Sequence, residues 1–451
     1  MEIPAELWER AASALLAQDG AQDREAEALL AALDYRRSAA DALDPPHAKL
    51  MREHRATLLK IAGKFKRVFQ LHAPAAPGLA CFGAQFSPEL TGALHEGAPD
   101  MSVSGVGTTL QDGFQACIGE GIEFLSHLET GGESLETADP AEQLATFSAG
   151  SRAFLAELIE GNIPAGAKMT WCRGRRLADG GEVLLPADIC LRRPQARREL
   201  SPPFLLGTGT AAGESFEAAA LHGLLELIER DAAGVWWRGG RRARMIGLDD
   251  EGWQTANKLL IDLRRGASGR RSWLLDITTD VAVPCAAAIS CSPDGFGFAF
   301  GLAARLTMRE AMRSAILEMC QIELADAVVE AKRRARGASS LNGRDLAHLR
   351  RATSIDAERC ELLHPLPPRP ASVGESFVGS PPLQAIVHRL AALDIEVFAV
   401  DLRRASLNVP AARIIAPGLQ LEPSEMTTPR LQAAILETGG GARHTKGERL
   451  L

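Results

Sequence analysis

Several familiar signals are missing from this sequence of 451 residues. It has eight cysteines but no C-x-x-C pair, which argues against a closed zinc site and favours buried free thiols. No G-x-x-x-x-G-K sequence followed by Ser or Thr occurs, so there is no P-loop. No apolar run approaches the roughly 20 residues of a membrane span, and the N-terminus lacks the basic and apolar regions of a signal peptide. We therefore expect a cytoplasmic protein that does not bind membranes.

The charge balance excludes one class of partner. The net charge is −7, whereas binding to a polyphosphate backbone needs a basic surface, so nucleic acid is not expected as a partner. The sequence is 46% hydrophobic and 24% charged, which is ordinary for a soluble protein with a sizeable core. Its length fits two or three ordinary domains or one large composite domain.

The stretch from Gly207 to Arg238 is the most informative part of the chain. A glycine-rich turn precedes Ser215, a typical N-cap, and a helix is predicted after it. The apolar residues recur at helical spacing and form a core face: Leu221, Leu224, Leu225, Ile228, Ala232 and Val235. The opposite arc carries His222, Glu226, Glu229 and Arg230. Taken alone, this arc also fits a solvated face with spaced charge pairs such as Glu226 with Arg230.

The same pattern occurs twice more. Gly105 and Gly107 precede a predicted helix with Glu120 and Glu123, and Thr108 and Gln111 have capping-box spacing at its start. Later glycines precede a Thr307–Glu310 capping box and a helix with Glu318 and Gln321. Clustered carboxylates repel unless cations join them, and Mg²⁺ is the ion that carboxylates and phosphates share. If the three helices converge, they form a site for metal-bound nucleotide without a P-loop.

These motifs resemble the signature of the YcaO family. The matching features are the glycine turn with its E-x-x-E-R-D helix, the earlier Glu-x-x-Glu segment and the later Glu-x-x-Gln segment. The resemblance extends from about Ala80 to about Gly418. The Ala211–Gly213 and Trp236–Trp237 variants are most similar to azoline-forming members, which are cyclodehydratases of ribosomally made, thiazole- or oxazole-modified peptides.

The resemblance implies an α/β (mixed α+β) fold built from related subdomains around one ATP site without a P-loop. We expect residues 76–430 to form this catalytic domain. Residues 1–75 are predicted to be a helical region that either docks a partner or substrate peptide or caps the domain. Residues 431–451, which include three consecutive glycines at 439–441, are predicted to be a flexible tail.

The resemblance also implies the roles of individual residues. The carboxylates expected to bind ATP through Mg²⁺ are Glu120, Glu123, Glu226 and Glu229, with Glu318 as a further metal ligand. The other residues expected to contact the nucleotide are Thr208, Arg230, Arg313 and Gln321. Arg230 is expected to face the phosphates, and Arg313 is a candidate for a second phosphate contact. His222 is a candidate general base, but it is equally compatible with a packed helix residue.

Several residues depart from the family pattern. Phe124 stands where the first motif usually has Arg, Val106 replaces a frequent Lys or Arg, and Ala218 replaces a common Glu. Azoline-forming members often end in a Pro-x-Pro-x-Pro tail that enters the active site, whereas this chain ends in Arg449-Leu-Leu451. The general base is therefore not assigned.

The expected reaction is ATP-dependent cyclodehydration of a ribosomal precursor peptide. The alternatives are thioamide formation with a TfuA partner, and a non-catalytic scaffold or peptide-binding subunit. For the first reaction the resemblance implies a partner protein similar to ubiquitin-activating enzymes (ocin-ThiF-like) and a flavin dehydrogenase. A homodimer is also expected.

Overall fold

The computed structural model describes residues 2–17, 23–36, 45–95, 97–247, 249–267, 269–368 and 381–451. Helices and strands alternate along these ranges and build three sheets. The strand pairs that we describe are antiparallel, and a long helix packs against each sheet. The mixed α/β class predicted from the sequence is confirmed.

The first unit is a four-stranded sheet in the order β1-β2-β3-β4. Its elements are β1 (Glu2–Ile3), α1 (Ala5–Leu16), α2 (Arg24–Ala32), α3 (Pro45–Lys64), β2 (Arg67–Leu71), β3 (Ala80–Phe86), β4 (Met101–Gly107) and α4 (Leu110–His127). Phe69 pairs with Gly83 across the sheet, and a side chain at Gly83 would collide with the Phe69 ring. Trp8 stacks on Phe114 with ring centres 4.8 Å apart, so α1 and α4 share one core.

The N-terminal region is not wholly helical as predicted. Arg67–Leu71 forms β2 because β3 offers it a paired edge, and Glu2–Ile3 then pairs with β2. The apolar core continues across the predicted boundary at residue 75, joining Leu59 of α3 to Phe82 of β3. Residues 1, 18–22 and 37–44 of this region lie outside the described residues. Its proposed docking role stays a prediction.

The second unit contains a six-stranded sheet in the order β5-β6-β12-β13-β8, with β7 paired to β6. Two of its strands come from late in the chain, β12 (Phe398–Asp401) and β13 (Ala411–Ile415). The chain enters it through β5 (Leu135–Ala138), α5 (Pro140–Leu144), α6 (Ala149–Ile159), β6 (Met169–Arg176), β7 (Glu182–Pro186), α7 (Ala187–Cys190), β8 (Thr210–Ala212) and α8 (Phe216–Trp237). Ser215 caps α8 by accepting a hydrogen bond from the Ala218 backbone, as predicted. This helix lies at the centre of the molecule, with its apolar face in the largest core.

The third unit is a three-stranded sheet in the order β11-β10-β9. It is formed by α9 (Asp250–Arg264), β9 (Arg271–Asp276), β10 (Cys285–Cys291), β11 (Ala299–Ala304), α10 (Met308–Arg336) and α11 (Gly343–Ser354). The predicted capping box of Thr307 and Glu310 is present at the start of α10. By contrast, α4 is capped by Thr109, whose side chain accepts a hydrogen bond from the Asp112 backbone N–H, and the predicted capping box of Thr108 and Gln111 does not form.

The remaining elements complete the second sheet and cover α8: α12 (Pro382–Ala392), β12 (Phe398–Asp401), β13 (Ala411–Ile415), α13 (Pro429–Thr438) and α14 (Ala442–Thr445). The C-terminal residues, for which we predicted a flexible tail, are therefore largely helical. Gly441 packs against the carbonyl of Trp237 so closely that a Cβ would lie 1.7 Å from it. The Trp237 indole donates a hydrogen bond to the Glu448 carbonyl at 2.7 Å, and Leu450 is buried. These contacts hold the tail against the C-terminal end of α8.

Candidate nucleotide site

Three strand–helix units meet at the centre of the molecule: β4 with α4, β8 with α8, and β11 with α10. In two of them a glycine lets the strand lie directly on its helix. A Cβ at Gly105 would lie 2.0 Å from the Cys117 backbone nitrogen, and one at Gly301 would lie 2.1 Å from the Ala315 carbonyl oxygen. The close approach brings the glutamates in the middle of each helix within reach of strand backbone.

The two carboxylates of α4 bind two different strands. Glu120 Oε2 accepts a hydrogen bond from the Ser104 backbone nitrogen of β4 at 3.2 Å. Glu123 Oε1 accepts one from the Ala212 backbone nitrogen of β8 at 3.1 Å. The first carboxylate therefore holds its own strand, and the second reaches the strand of the next unit.

The pattern repeats in α8. Glu226 Oε2 accepts a hydrogen bond at 2.9 Å from the backbone nitrogen of Gly209, in the turn that leads into β8. Glu229, with 7% of its surface exposed, interacts with the backbone N–H of Ala304 in β11. Again the first carboxylate binds its own unit and the second binds the next.

The third helix, α10, closes the ring. Glu318 Oε2 accepts a hydrogen bond from the Leu302 backbone nitrogen of β11 at 2.6 Å. The Gln321 amide nitrogen donates to the Ser104 carbonyl at 3.3 Å and to the Ser104 Oγ at 3.0 Å. We call the set Glu120, Glu123, Glu226, Glu229, Glu318 and Gln321 the carboxylate ring.

Arg230 is the cation within this ring. Its guanidinium lies 3.4 Å from Glu226 Oε1 and 3.2 Å from Glu229 Oε1, and Glu318 also contributes to raising its pKa. The five carboxylates outnumber the nearby arginines, so the ring becomes negative as the carboxylates ionise. The spaced pair of Glu226 and Arg230 exists, but both side chains are half-buried among the other carboxylates rather than on a fully solvated face.

The electrostatics of the ring favour an added positive charge. Burial raises the pKa of Glu123 to about 8 and the pKa of Glu318 to about 7, and neighbouring carboxylates act in the same direction. Burial also raises the pKa of Glu229, against the opposing effect of Arg230. Glu120 is solvent-exposed, so water and a cation can reach the carboxylate ring. A proton or a metal ion would relieve the repulsion.

The donor set fits Mg²⁺ bound jointly with phosphate rather than a cage made by protein alone. Within the described residues, no three His, Cys, Asp or Glu side chains converge closely enough to hold one ion. Mg²⁺ is commonly bound by one or two carboxylates, with water and phosphate oxygens completing its shell. Glu120, Glu123 and Glu318 each use one oxygen for a backbone hydrogen bond, which leaves the second oxygen for such an ion. The second oxygen of Glu226 faces Arg230.

The other predicted residues lie around the ring. Thr208 is buried, and its carbonyl accepts a hydrogen bond from the guanidinium of Arg413. His222 is exposed, with Nδ1 3.4 Å from the Ala212 carbonyl oxygen. Arg313 contacts Thr108 Oγ1 at 2.9 Å and Asp112 at 3.3 Å, so its observed partners are at the start of α4 and not in the carboxylate ring.

Sequence reasoning missed a second cation at the ring. Arg305 directly follows Ala304, whose N–H faces Glu229, and its charge lowers the pKa values of both Glu229 and Glu318. The signal available for Arg305 was its position between the end of β11 and the N-cap residue Thr307, where the strand leads into the third helix of the site. Arg305 is therefore better placed beside the carboxylates than Arg313.

Comparison with known proteins assigns the family. A family model described as YcaO cyclodehydratase, ATP- and Mg²⁺-binding, matches residues 104–420. The chain belongs to the YcaO family. ATP and Mg²⁺, the cofactors predicted from the sequence, are thereby confirmed at the level of the family.

Two relatives of this YcaO protein carry no assigned activity. An uncharacterized protein of Methanothermobacter thermautotrophicus is 26% identical over 273 residues, which cover 58% of this chain and 69% of the relative. A Rhizobium leguminosarum bv. trifolii protein, named as an uncharacterized protein in the tfuA 3' region, is 27% identical over 284 residues. That match covers 56% of this chain and 61% of the relative.

Solved structures share the fold at low sequence identity. A heterocyclase in complex with substrate and cofactor matches with a TM-score of 0.64 and 20% identity, over 87% of this chain and 55% of that one. The present chain thus spans about half of that heterocyclase. YcaO from Methanopyrus kandleri, bound with AMPPCP and Mg²⁺, matches with a TM-score of 0.56 and 18% identity, over 86% of this chain and 96% of that one. The E. coli microcin synthetase McbBCD complex matches with a TM-score of 0.54 and 14% identity, over 78% of this chain and 88% of that one.

None of the helices in the described ranges combines the length and the apolar character that a bilayer crossing requires.

Proposed function

We propose that this YcaO protein uses ATP and Mg²⁺ to activate backbone amides of a ribosomally made precursor peptide, and forms azolines from Cys, Ser or Thr. The observation that carries the proposal is the closed carboxylate ring. Six side chains from three helices converge with matched backbone contacts, and the contacts between units span up to 217 residues of sequence. Support for the reaction class comes from the family and from the heterocyclases that share the fold.

In this reaction the substrate side chain attacks the preceding carbonyl carbon. The amide oxygen takes the terminal phosphoryl group of ATP and then leaves as phosphate, so that the products are azoline, ADP and phosphate. Glu120, Glu123, Glu226, Glu229 and Glu318 are proposed to hold the nucleotide through Mg²⁺, and Arg230 to neutralise phosphate charge. Gln321 and Thr208 are proposed to line the nucleotide site.

The general base stays a proposal in its own right. His222 is the candidate, because its exposed imidazole lies beside Ala212, whose N–H is held by Glu123. An imidazole there can take the proton of an attacking side chain without entering the negative ring. Replacing His222 by Gln should then lower the rate of azoline formation while leaving the affinity for nucleotide unchanged.

Thioamide formation is the second candidate, and one observation favours it. The Rhizobium relative is named for its position in the tfuA 3' region. In this reaction sulfide attacks the activated amide instead of a side chain. We therefore propose TfuA as the alternative partner to an ocin-ThiF-like protein and a flavin dehydrogenase. Mass spectrometry of the product separates the two reactions, because azoline formation removes one water and thioamide formation replaces oxygen by sulfur.

The first experiment is calorimetry of ATP with Mg²⁺ on the full chain and on two matched double variants. In Glu226→Gln with Glu229→Gln, two charges of the ring are removed at nearly constant volume. In Glu157→Gln with Glu160→Gln, the same spacing is neutralised at the C-terminal end of α6, where Glu160 is the C-cap and both residues are exposed. We expect wild type and the α6 variant to bind and the ring variant to lose binding. Binding that survives in the ring variant, or none in folded wild type, would refute the nucleotide site.

A further inference from the structure

Arg192 is half-buried, and within the described ranges its guanidinium has no polar partner. It makes no side-chain hydrogen bond or ion pair there, and its Nε is buried without an acceptor. It lies instead over the ring of Phe124, with its central carbon 4.9 Å from the ring centre. The next residue is very different, because Arg193 is buried and paired with Glu129, Asp188 and Glu199. Buried polar groups are normally satisfied, so an unpartnered guanidinium points to a missing acceptor.

Backbone contacts fix Arg192 at the C-terminal end of α4. Its N–H donates to the His127 carbonyl at 2.8 Å, and its carbonyl accepts from the Glu129 N–H at 3.0 Å. The segment therefore runs alongside the end of the helix, and its side chain reaches back one turn to Phe124. The placement is built into the fold and does not depend on a surface loop.

This position adjoins the carboxylate ring on two sides. Phe124 directly follows Glu123 and lies one helical turn beyond Glu120, as Arg230 does relative to Glu226. On the other side, a Cβ at Gly207 would lie 3.0 Å from an Arg192 nitrogen. Gly207 opens the turn in which the Gly209 N–H binds Glu226. The guanidinium thus lies between the α4 carboxylates and the glycine turn.

The charges around Arg192 are also positive. Arg413 is buried with only the Thr208 and Ile189 carbonyls as hydrogen-bond partners, and it has no ion pair in the described residues. Burial and, after it, the nearby positive charge of Arg198 lower the pKa of Arg192. Buried cations without counter-charges are unfavourable, and an anionic ligand would compensate them.

We propose that Arg192 binds a phosphate oxyanion at the edge of the carboxylate ring, on the side of the Gly207 turn. The proposal rests on the proposed nucleotide site and extends it by one residue. A guanidinium presents paired N–H donors that match two phosphate oxygens, and the stack on Phe124 holds its plane in place. The phosphate has two sources: the terminal phosphate of bound nucleotide, or free phosphate beside the nucleotide.

The test measures binding by calorimetry, with Mg²⁺ and a non-hydrolysable ATP analogue, with MgADP, and with inorganic phosphate. The variants are Arg192→Gln, Arg192→Lys and the control Arg175→Gln. Arg175 also stacks 4.9 Å over a phenylalanine, Phe216, but it is exposed. We expect Arg192→Gln to weaken analogue binding about ten- to hundredfold, Arg192→Lys to weaken it less, and Arg175→Gln to leave it unchanged.

The ligand series identifies the source of the phosphate. A loss confined to the ATP analogue, with MgADP affinity kept, assigns Arg192 to the terminal phosphate. Phosphate binding to the MgADP complex that Arg192→Gln abolishes assigns it to free phosphate. Equal affinities for Arg192→Gln and Arg175→Gln, with both folded by circular dichroism and phosphate binding unaffected, overturn the inference while the nucleotide site stands. If folded wild type binds neither nucleotide nor phosphate, the proposed function and this inference both fail.

Discussion

The Gln321 amide donates a hydrogen bond to the Oγ of Ser104 at 3.0 Å across 217 residues of sequence. The Ser104 backbone nitrogen is bound in turn by Glu120. Ser104 is thus the residue at which the third helix meets the first and the ring closes. Because Gln321 acts as a donor here, the amide and not a third Glu-x-x-Glu carboxylate suits this position.

Gln321→Glu tests this closure. A carboxylate cannot donate to the Ser104 carbonyl and adds a negative charge near Glu120, so the free energy of unfolding should fall by about 1–3 kcal/mol. Urea denaturation at neutral pH measures the change. Gln432→Glu, on an exposed position of α13, is the matched control and should have little effect. Equal stability of the two variants would mean that the bond to Ser104 contributes nothing.

The glycines of the strand–helix contacts give a second prediction. In Gly105→Ala and Gly301→Ala the new Cβ meets backbone at 2.0 and 2.1 Å, and backbone cannot move aside as a side chain can. Each variant should lose about 3 kcal/mol or more in urea denaturation. Gly119→Ala lies in the same helix as the Glu120 site but has nothing within 4 Å of its new Cβ. It should gain about 0.5–1 kcal/mol from helix propensity. A stable Gly105→Ala protein would contradict the tight contact.

The local parts of the site could be predicted from the sequence, and the long-range parts could not. The cap at Ser215, the capping box at Thr307 and the three glycine–helix units depend on neighbouring residues. The contact of Glu123 with Ala212 spans 89 residues, and no spacing rule predicts which strand a second carboxylate reaches. Arg192 has no motif at all, because only the fold brings it onto Phe124.

Two errors outside the site have physical causes of the same kind. Arg67–Leu71 follows a long helix, and the sequence predicts that it belongs to the same helical region. Pairing with β3 overrides this local pattern. The glycines at the start of the tail favour flexibility, yet Gly441 is what allows close packing on Trp237. In both places a tertiary contact decides the structure.

An ion pair at the start of α13, the helix that leads into the tail, gives a third prediction. Arg430 of α13 pairs with Asp231 of α8 at 2.9 Å and with Asp280 at 2.6 Å, and Asp231 is fully buried. Arg430→Ala leaves Asp231 buried without its cation, so the free energy of unfolding should fall by about 3–5 kcal/mol. Arg449→Ala breaks an exposed pair with Glu425 in the same tail and should change it by less than about 1 kcal/mol. Urea denaturation compares them, and similar small losses would mean that Arg430 does not anchor the tail.

The raised pKa values of the ring carboxylates give a pH dependence with a definite sign. Glu123 and Glu318 have folded-state pKa values of about 8 and 7, above their ordinary value of 4.5, chiefly because of burial. These two groups bind protons more tightly in the folded state than in the unfolded state, so their contribution to stability falls as pH rises from the unfolded to the folded pKa values. The window from about pH 7 to about pH 9 isolates this effect, because histidines with lowered pKa values, such as His127, are neutral there in both states. Without metal, the free energy of unfolding should fall across this window by on the order of 1 kcal/mol.

Glu123→Gln isolates the cause of this pH dependence. Its amide oxygen can still accept the Ala212 hydrogen bond, but it carries no charge, so the variant should be more stable than wild type at the alkaline end and less sensitive to pH. Mg²⁺ with a non-hydrolysable ATP analogue should stabilise wild type most at the alkaline end, because a cation then replaces the lost protons. The same ligands should stabilise Glu123→Gln less. Urea denaturation across the pH range measures both effects, and a wild-type stability that rises with pH over this window would show that the carboxylates do not repel one another as their burial implies.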